Sequence, residues 1–265
     1  MGVKFFGIYL YDKKVKIMIK QKSNKWAEDP SVEQRTFKRV TGDLQEMEST
    51  KQLVDLISDI YQPGMKVLDV GCAAGHYYNG LVRIDSNLDY SGVDATIPYI
   101  EFAKNYFKDN KRVKFQVGDI FNLPENLTNS FDIVYCCNVI LHLPSFQEPI
   151  QNLIKASKKH VIIRTLVADN THMSQFLYND NFDDSGNPTD FIHQNTYSNS
   201  SIERFISSLG DYDVEFLDDK FDSDQIQNEY EEYKDIQSVV TNIQNNVQIS
   251  GSKVFEWKWI KIEKC

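Results

Sequence analysis

The chain has 265 residues, 41% of them apolar, enough for a sizeable core in one large domain or two small ones and too many for a disordered chain. A net charge of -9 argues against a nucleic-acid substrate, whose phosphates call for a basic face. No apolar run approaches the ~18 residues of a membrane helix, and Met1 to Lys20 alternates apolar with charged residues instead of forming a signal core, so the expected setting is the cytoplasm.

In chain order, Phe5 to Ile19 reads as two alternating strands around Asp12-Lys13-Lys14. Residues 24–60 read as helix, with Leu53, Leu56, Ile57 and Ile60 at helical spacing and Pro63-Gly64 as the stop. Trp26 and the Gln45-Glu46-Met47 segment are expected to form an N-terminal cover, residues 1–60, ahead of a domain over 61–265. From residue 66 short apolar strands alternate with helices. The strands are Lys66–Val70, Tyr90–Val93, Val113–Val117, Phe131–Cys136 and His160–Thr165, and the helices fall near 76–84, 97–108 and 146–157. Nearly all-apolar strands in such alternation predict an α/β fold, a doubly wound, mostly parallel sheet with helices on both faces. An insertion over about 166–199, rich in Asn, Asp, Ser and Thr, interrupts the alternation; a loop of that length is usually functional or mobile. A helix near 200–209, a strand near 213–218, a polar helix near 225–247 and a last strand, Lys253–Ile262, complete a seven-stranded sheet.

The motif that carries chemistry is VLDVGCAAG at residues 67–75, a strand entering a tight glycine turn. Gly71 and Gly75 let backbone approach a ligand with no Cβ in the way, and a following helix starting near His76 would offer unpaired N–H groups to an anion. The spacing is not GxGxxG, and no Lys-Ser/Thr ending marks a phosphate-binding loop. Asp94 ends the second strand, 94 − 71 = 23 residues past the first glycine, where an acid can accept from a ribose diol. The four cysteines show no CxxC spacing and read as small reduced hydrophobes.

These landmarks, with VKFQVGDIFNLP at 113–124 and FDIVYCCNVILHLPS at 131–145, resemble the class I, Rossmann-like S-adenosylmethionine-dependent methyltransferases. Asp69, Gly71 and Gly75 match the acidic-x-Gly-x-Gly-x-Gly motif, and Ala73 replaces its middle glycine. The resemblance covers about residues 45–165. It implies S-adenosylmethionine as cofactor, held by Asp69, Gly71, Cys72, Ala73, Gly75, Asp94 and Ala95, by Asp119 at the adenine amino group, by Ile120 against the ring, and by Asn138 near the methionine moiety.

Methyl transfer to a hydroxyl requires a proton acceptor, and His142, just after the fourth strand, is the candidate general base. Candidate acceptor contacts are His76, Tyr77, Tyr78, Arg164, His193 and Tyr197, with Arg164 placed to clamp an anion. The loop after the fourth strand carries Cys137-Asn138-Val139-Ile140, neither the Asn/Asp-Pro-Pro-aromatic run of base-methylating enzymes nor the acid of magnesium-dependent ones, so no metal is expected. The expected reaction is methylation of an oxygen or nitrogen of a small soluble acceptor, anionic or nucleotide- or sugar-linked as in surface-polysaccharide tailoring. The alternatives are a protein or RNA acceptor and a catalytically silent nucleoside-binding homologue.

Overall fold

The computed structural model describes residues 30–177, 182–187, 191–220, 223–224, 227–228, 242–244, 247–250 and 253–265. Trp26, the two strands expected between Phe5 and Ile19, and most of the helix expected over 225–247 lie outside the described residues. Where one helix was expected over 24–60, two stand: α1 (Pro30–Thr41) and α2 (Glu48–Ser58). Gly42 separates them at φ +84°, a left-handed conformation that costs glycine little and ends a helix.

The alternation follows as expected: β1 (Lys66–Val70), α3 (Tyr78–Leu81), β2 (Asp89–Asp94), α4 (Ile97–Tyr106), β3 (Val113–Val117), β4 (Phe131–Cys137), α5 (Gln147–Ala156) and β5 (Ser157–Ala168). The insertion is not a bare loop. Its β6 (Gln175–Leu177) and β7 (Phe191–His193) pair antiparallel, and β8 (Tyr197–Ser198) adds to the end of β5. Next come α6 (Asn199–Leu209), capped by the Ser198 side chain accepting from the Ser201 N–H, and β9 (Tyr212–Asp218). Then β10 (Asn242–Gln244), β11 (Val247–Ser250) and β12 (Lys253–Val254) make a small antiparallel sheet, and β13 (Trp257–Lys264) closes the chain. The end of the expected 225–247 helix is therefore strand, because Val247 and Ile249 alternate with polar residues at a period of two.

The central sheet runs β3-β2-β1-β4-β5-β13-β9. β1 to β5 are parallel, and β13 is antiparallel to both neighbours. Strand addition reverses side between β1 and β4, which opens a crevice over their carboxyl ends, where such sheets bind ligands. Two apolar cores flank the sheet because its strands are apolar on both faces. Val67, Ile133, Tyr135 and Ile162 pack with Leu53, Ile57, Leu81 and Ile100 of the helices on one face. Leu68, Val134, Val161 and Ile163 pack with Ile150, Leu153, Ile202 and Ile206 on the other. Each such residue, fully buried, contributes roughly 1.5–3 kcal/mol of transfer free energy. Among the described residues no helix is long and apolar enough to cross a membrane.

Candidate active site

Past β1 the chain turns through Gly71 (φ +81°), Ala73 (φ +47°) and Gly75 (φ +85°). The N–H groups of Gly71 and Cys72 both donate to the Val93 carbonyl, at 2.7 and 3.1 Å, tying the turn to the tip of β2. A Cβ on Gly71 would lie 2.3 Å from Val139 Cγ2, and one on Gly75 2.6 Å from the Phe115 ring. Both positions thus require glycine for space as well as for φ. Ala73 keeps the left-handed conformation at a cost of ~1 kcal/mol. Cys72 packs its side chain in the core, and its thiol donates to the Ala73 carbonyl at 3.3 Å within the turn.

The helix expected near 76–84 forms but is short, Tyr78–Leu81. Gly75 and Tyr78 donate to the Cys72 and Gly75 carbonyls, and α3 has four residues, starting at Tyr78. A helix of four residues has little dipole to hold the anion expected at the turn.

At the tip of β2 the Asp94 carboxylate accepts from the Ala73 N–H through Oδ2 and the Thr96 N–H through Oδ1, both at 2.8 Å. Burial raises its pKa and the backbone donors oppose that rise. Asp94 is only half-buried, and two N–H groups with the Thr96 side chain do not exhaust four acceptor sites, so its chemistry fits a ribose diol. Ala95 beside it is exposed. Asp119, past β3, uses Oδ1 to accept from Phe121 N–H at 2.9 Å, while the Ile120 side chain is buried in the core. The turn, Asp94 and Asp119 thus occupy the tips of three adjacent strands, β1, β2 and β3, an arrangement that fits an adenosine laid across them.

Asp69 departs from its expected cofactor role. It shares a strand face with Val67, is 1% exposed, and its Oδ2 accepts from the Tyr90 and Tyr135 hydroxyls at 2.8 Å each. Those tyrosines stand on β2 and β4, so Asp69 pins both flanking strands to β1 beneath the turn. Burial pushes its pKa up to about 7 against the two phenolic donors, and Asp94 adds to the rise.

At the tip of β4, Asn138 adopts φ +62° and its N–H donates to the Arg164 carbonyl at 2.9 Å. A 3₁₀ turn, Ile140–His142, follows. His142 Nδ1 lies 2.9 Å from the His193 carbonyl oxygen. A carbonyl only accepts, so Nδ1 carries the proton and Nε2 the lone pair. Burial lowers the His142 pKa to about 4, the His193 carbonyl opposes, and Lys253 and His193 lower it further. The insertion strand β7 is thereby brought onto the loop after β4, which places His193, itself lowered by burial, beside His142.

Four expected acceptor contacts fall elsewhere. The Arg164 guanidinium is not open to a ligand: Nε and Nη2 form a bidentate pair with Asp219 at 2.8 Å, Nη1 donates to Asn138 Oδ1 at 2.5 Å, and the Trp257 ring lies 4.2 Å from Cζ. Burial disfavours its charge, and the Asp219 carboxylate more than offsets that. Tyr77 and Tyr78 are core residues, hydrogen-bonded to Ser49 (3.1 Å) and Asn110 (2.7 Å). Tyr197 is buried, and its hydroxyl donates to the Leu143 carbonyl. His76 follows the turn and lines a cavity of about 150 Å³ with Arg39, Gln45, Glu46, Met47 and Arg83. Among the described residues its buried Nδ1 has no hydrogen-bond partner, and burial lowers its pKa to about 3.

Two residues that sequence reasoning missed sit here. Asp219 neutralises Arg164 across 55 residues of chain. Lys253, on β12, donates to the Gln194 carbonyl and to Ser174 Oγ, with no carboxylate partner among the described residues. Desolvation lowers its pKa to about 8. No local pattern marks either residue, since both gain meaning only from strands paired over long range. Among the described residues no group of three or more His, Cys, Asp or Glu is placed to hold a metal ion.

A parallel sheet reversing between β1 and β4, a left-handed glycine turn and an acid at the tip of β2 are those of a Rossmann-like fold that binds a nucleoside, and the family match makes it an S-adenosylmethionine-dependent class I methyltransferase. Residues 61–200 match the family model described as "Methyltransferase domain", and the chain belongs to that family. It is 35% identical over 100 residues to phosphoethanolamine N-methyltransferase 3 of Arabidopsis thaliana, covering 37% of this chain and 19% of that protein. It is 33% identical over 100 residues to a ubiquinone biosynthesis O-methyltransferase of Coxiella burnetii, covering 36% of this chain and 42% of that one. The matched stretch thus spans less than half of either relative's length. Among solved structures, Haemonchus contortus phosphoethanolamine N-methyltransferase 2, in complex with S-adenosyl-L-methionine, superposes with a TM-score of 0.52 at 14% identity, over 82% of this chain and 52% of that chain.

Proposed function

We propose that the protein methylates an oxygen or nitrogen of a small acceptor that carries an anionic group. The observation that carries this reading is Lys253, a half-buried ammonium without a counter-ion among the described residues, within electrostatic reach of His142. An ammonium so placed gains most from an anionic ligand. The phosphoethanolamine of the Arabidopsis relative's name is one acceptor of that chemistry.

When bound, S-adenosylmethionine supplies a methyl group on a sulfonium, a leaving group that needs no activation. In this reading Asp94 holds the ribose, the glycine turn carries the chain past β1, and the loop after β4 aligns the acceptor on the open side of the crevice. His142 is neutral at pH 7, so Nε2 can receive the proton an acceptor hydroxyl gives up as its oxygen bonds to the methyl carbon. A base of pKa about 4 is weak, but an anion near Lys253 raises it toward the working pH, which improves proton transfer. Binding of the acceptor thus tunes its own base.

Two measurements test this. In thermal melts, S-adenosylhomocysteine should stabilise the protein and NAD should not; the reverse refutes the cofactor assignment. With labelled S-adenosylmethionine, phosphoethanolamine should accept methyl and a neutral phenol should not. Lys253→Met should raise the KM for the anionic acceptor ~10–100-fold, the worth of a charged hydrogen bond. Preference for the neutral phenol, unchanged in Lys253→Met, overturns the anionic reading.

A further inference from the structure

We infer that Arg164 is a positioning residue: it orients the Asn138 side-chain amide so that its NH₂ group faces the β1/β4 crevice and receives the carboxylate of the cofactor's amino-acid tail. The inference rests on the S-adenosylmethionine assignment above.

The amide's orientation follows from donor chemistry. Arginine has donors and no acceptor, so the atom of Asn138 that meets Arg164 Nη1 at 2.5 Å must be the carbonyl oxygen. Arg164 grips the residue a second time, its own carbonyl accepting the Asn138 N–H at 2.9 Å. These two bonds hold the residue at φ +62°, where a non-glycine residue persists only if its surroundings over-determine it. Arg164 is itself fixed by the bidentate Asp219 pair and the Trp257 ring beneath it. With Oδ1 committed, Nδ2 points away from Arg164. Asn138 is half-buried, and Nδ2 makes no hydrogen bond among the described residues.

The position of this amide decides what it meets. Val139, the next residue, is the side chain that crowds Gly71 at the tip of β1, so the amide stands on the β4 side of the glycine turn. Asp94 and Asp119 hold the opposite side, over β2 and β3. A nucleoside anchored there directs the rest of the cofactor toward β4. The tail carboxylate needs donors, and the helix after the turn, four residues long from Tyr78, offers little dipole to hold it. An NH₂ group locked toward the crevice meets that need. An amide free to rotate would lose that freedom on binding the carboxylate, whereas one already held by Arg164 does not.

The test compares two ligands by calorimetry: S-adenosylhomocysteine, which has the amino-acid tail, and 5′-methylthioadenosine, which does not. Asn138→Asp keeps the shape and the Arg164 contact but offers the crevice an anionic oxygen in place of NH₂. It should weaken S-adenosylhomocysteine ~10–100-fold while leaving 5′-methylthioadenosine within about threefold. Arg164→Lys keeps the charge opposite Asp219 but loses the fork, and should shift the same affinity ratio in the same direction by a smaller factor. A merely structural role would weaken both ligands equally, or only lower the melting temperature. Should Arg164→Lys fail to fold, Asn138→Asp alone still decides. Unchanged discrimination between the two ligands in Asn138→Asp overturns the inference and leaves the methyltransferase assignment standing; failure of the unmodified protein to bind either ligand overturns that assignment instead.

Discussion

Replacing Gly71 with Ala adds one methyl group and sets two costs that can be separated. The residue sits at φ +81°, where a Cβ crowds the backbone for ~1–2 kcal/mol. The added Cβ also lands 2.3 Å from Val139 Cγ2, while Val139 Cβ and Cγ1, at 3.4 and 3.5 Å, remain near ordinary contact. The overlap is thus with one methyl on a stiff β-branched side chain, and relieving it by a local shift costs ~1–3 kcal/mol. The sum, ~2–5 kcal/mol, lowers the melting temperature by roughly 4–20 °C at the ~2–4 °C per kcal/mol expected for a domain of this size. Because Val139 follows Asn138, the shift also moves the amide at the crevice, and S-adenosylhomocysteine affinity should fall with stability. The diagnostic experiment is a double-mutant cycle with Val139→Ala, read by urea unfolding. Truncating Val139 removes the obstructing methyl and not the φ strain, so the pair should couple favourably by ~1–3 kcal/mol with a residual cost of ~1–2 kcal/mol. A Gly71→Ala protein that melts within ~1 °C of the parent, or a cycle with no coupling, refutes this account of the turn.

Asp69→Asn keeps an oxygen for the Tyr90 and Tyr135 hydroxyls and removes a titration. Folded Asp69 titrates at about 7 against an ordinary 3.8, so between these values the folded state holds the extra proton and this group makes stability fall as pH rises. The variant should lose that term, steepening the rise of stability with pH between about 4 and 7 by up to ~1.4 kcal/mol per pH unit; a parallel curve from pH-dependent urea melts rules the buried-carboxylate reading out. His142 runs the other way, titrating at about 4 when folded against an ordinary 6.5, so the stability its neutral ring contributes is present above pH 6.5 and is lost as pH falls toward 4. His142→Ala should remove that loss and cut turnover of a hydroxyl acceptor ~10²–10⁴-fold with little change in S-adenosylhomocysteine affinity. Turnover within threefold of the parent would remove His142 as the base.

Features carried by neighbouring residues were legible in the chain itself. Short, β-branched apolar runs such as Val67-Leu68 and Ile133-Val134-Tyr135, alternating with helical stretches and bounded by turn residues, read as strands buried on both faces, so five parallel strands and their crossover helices were legible. Gly71 and Gly75, with Asp94 23 residues on (94 − 71 = 23), mark the crevice because a turn's backbone and a strand-end carboxylate are set within a few residues. The same local reading over-extended where a neighbour in space outweighs propensity. His76 looks like a helix start, yet α3 begins at Tyr78; Asp69 looks like a ligand contact, yet the face of β1 it occupies points it at two tyrosines. Which distant partners meet was settled by the folded chain alone: β13 inserting antiparallel between β5 and β9, Asp219 closing on Arg164, and Lys253 arriving near His142 from 253 − 142 = 111 residues away. Local pattern is set by the two periodicities of the backbone and by turn sterics, which act between neighbours in sequence. The pairing of remote charges and strands is set by which surfaces remain complementary once the sheet has formed, and no window along the chain contains both halves of that match.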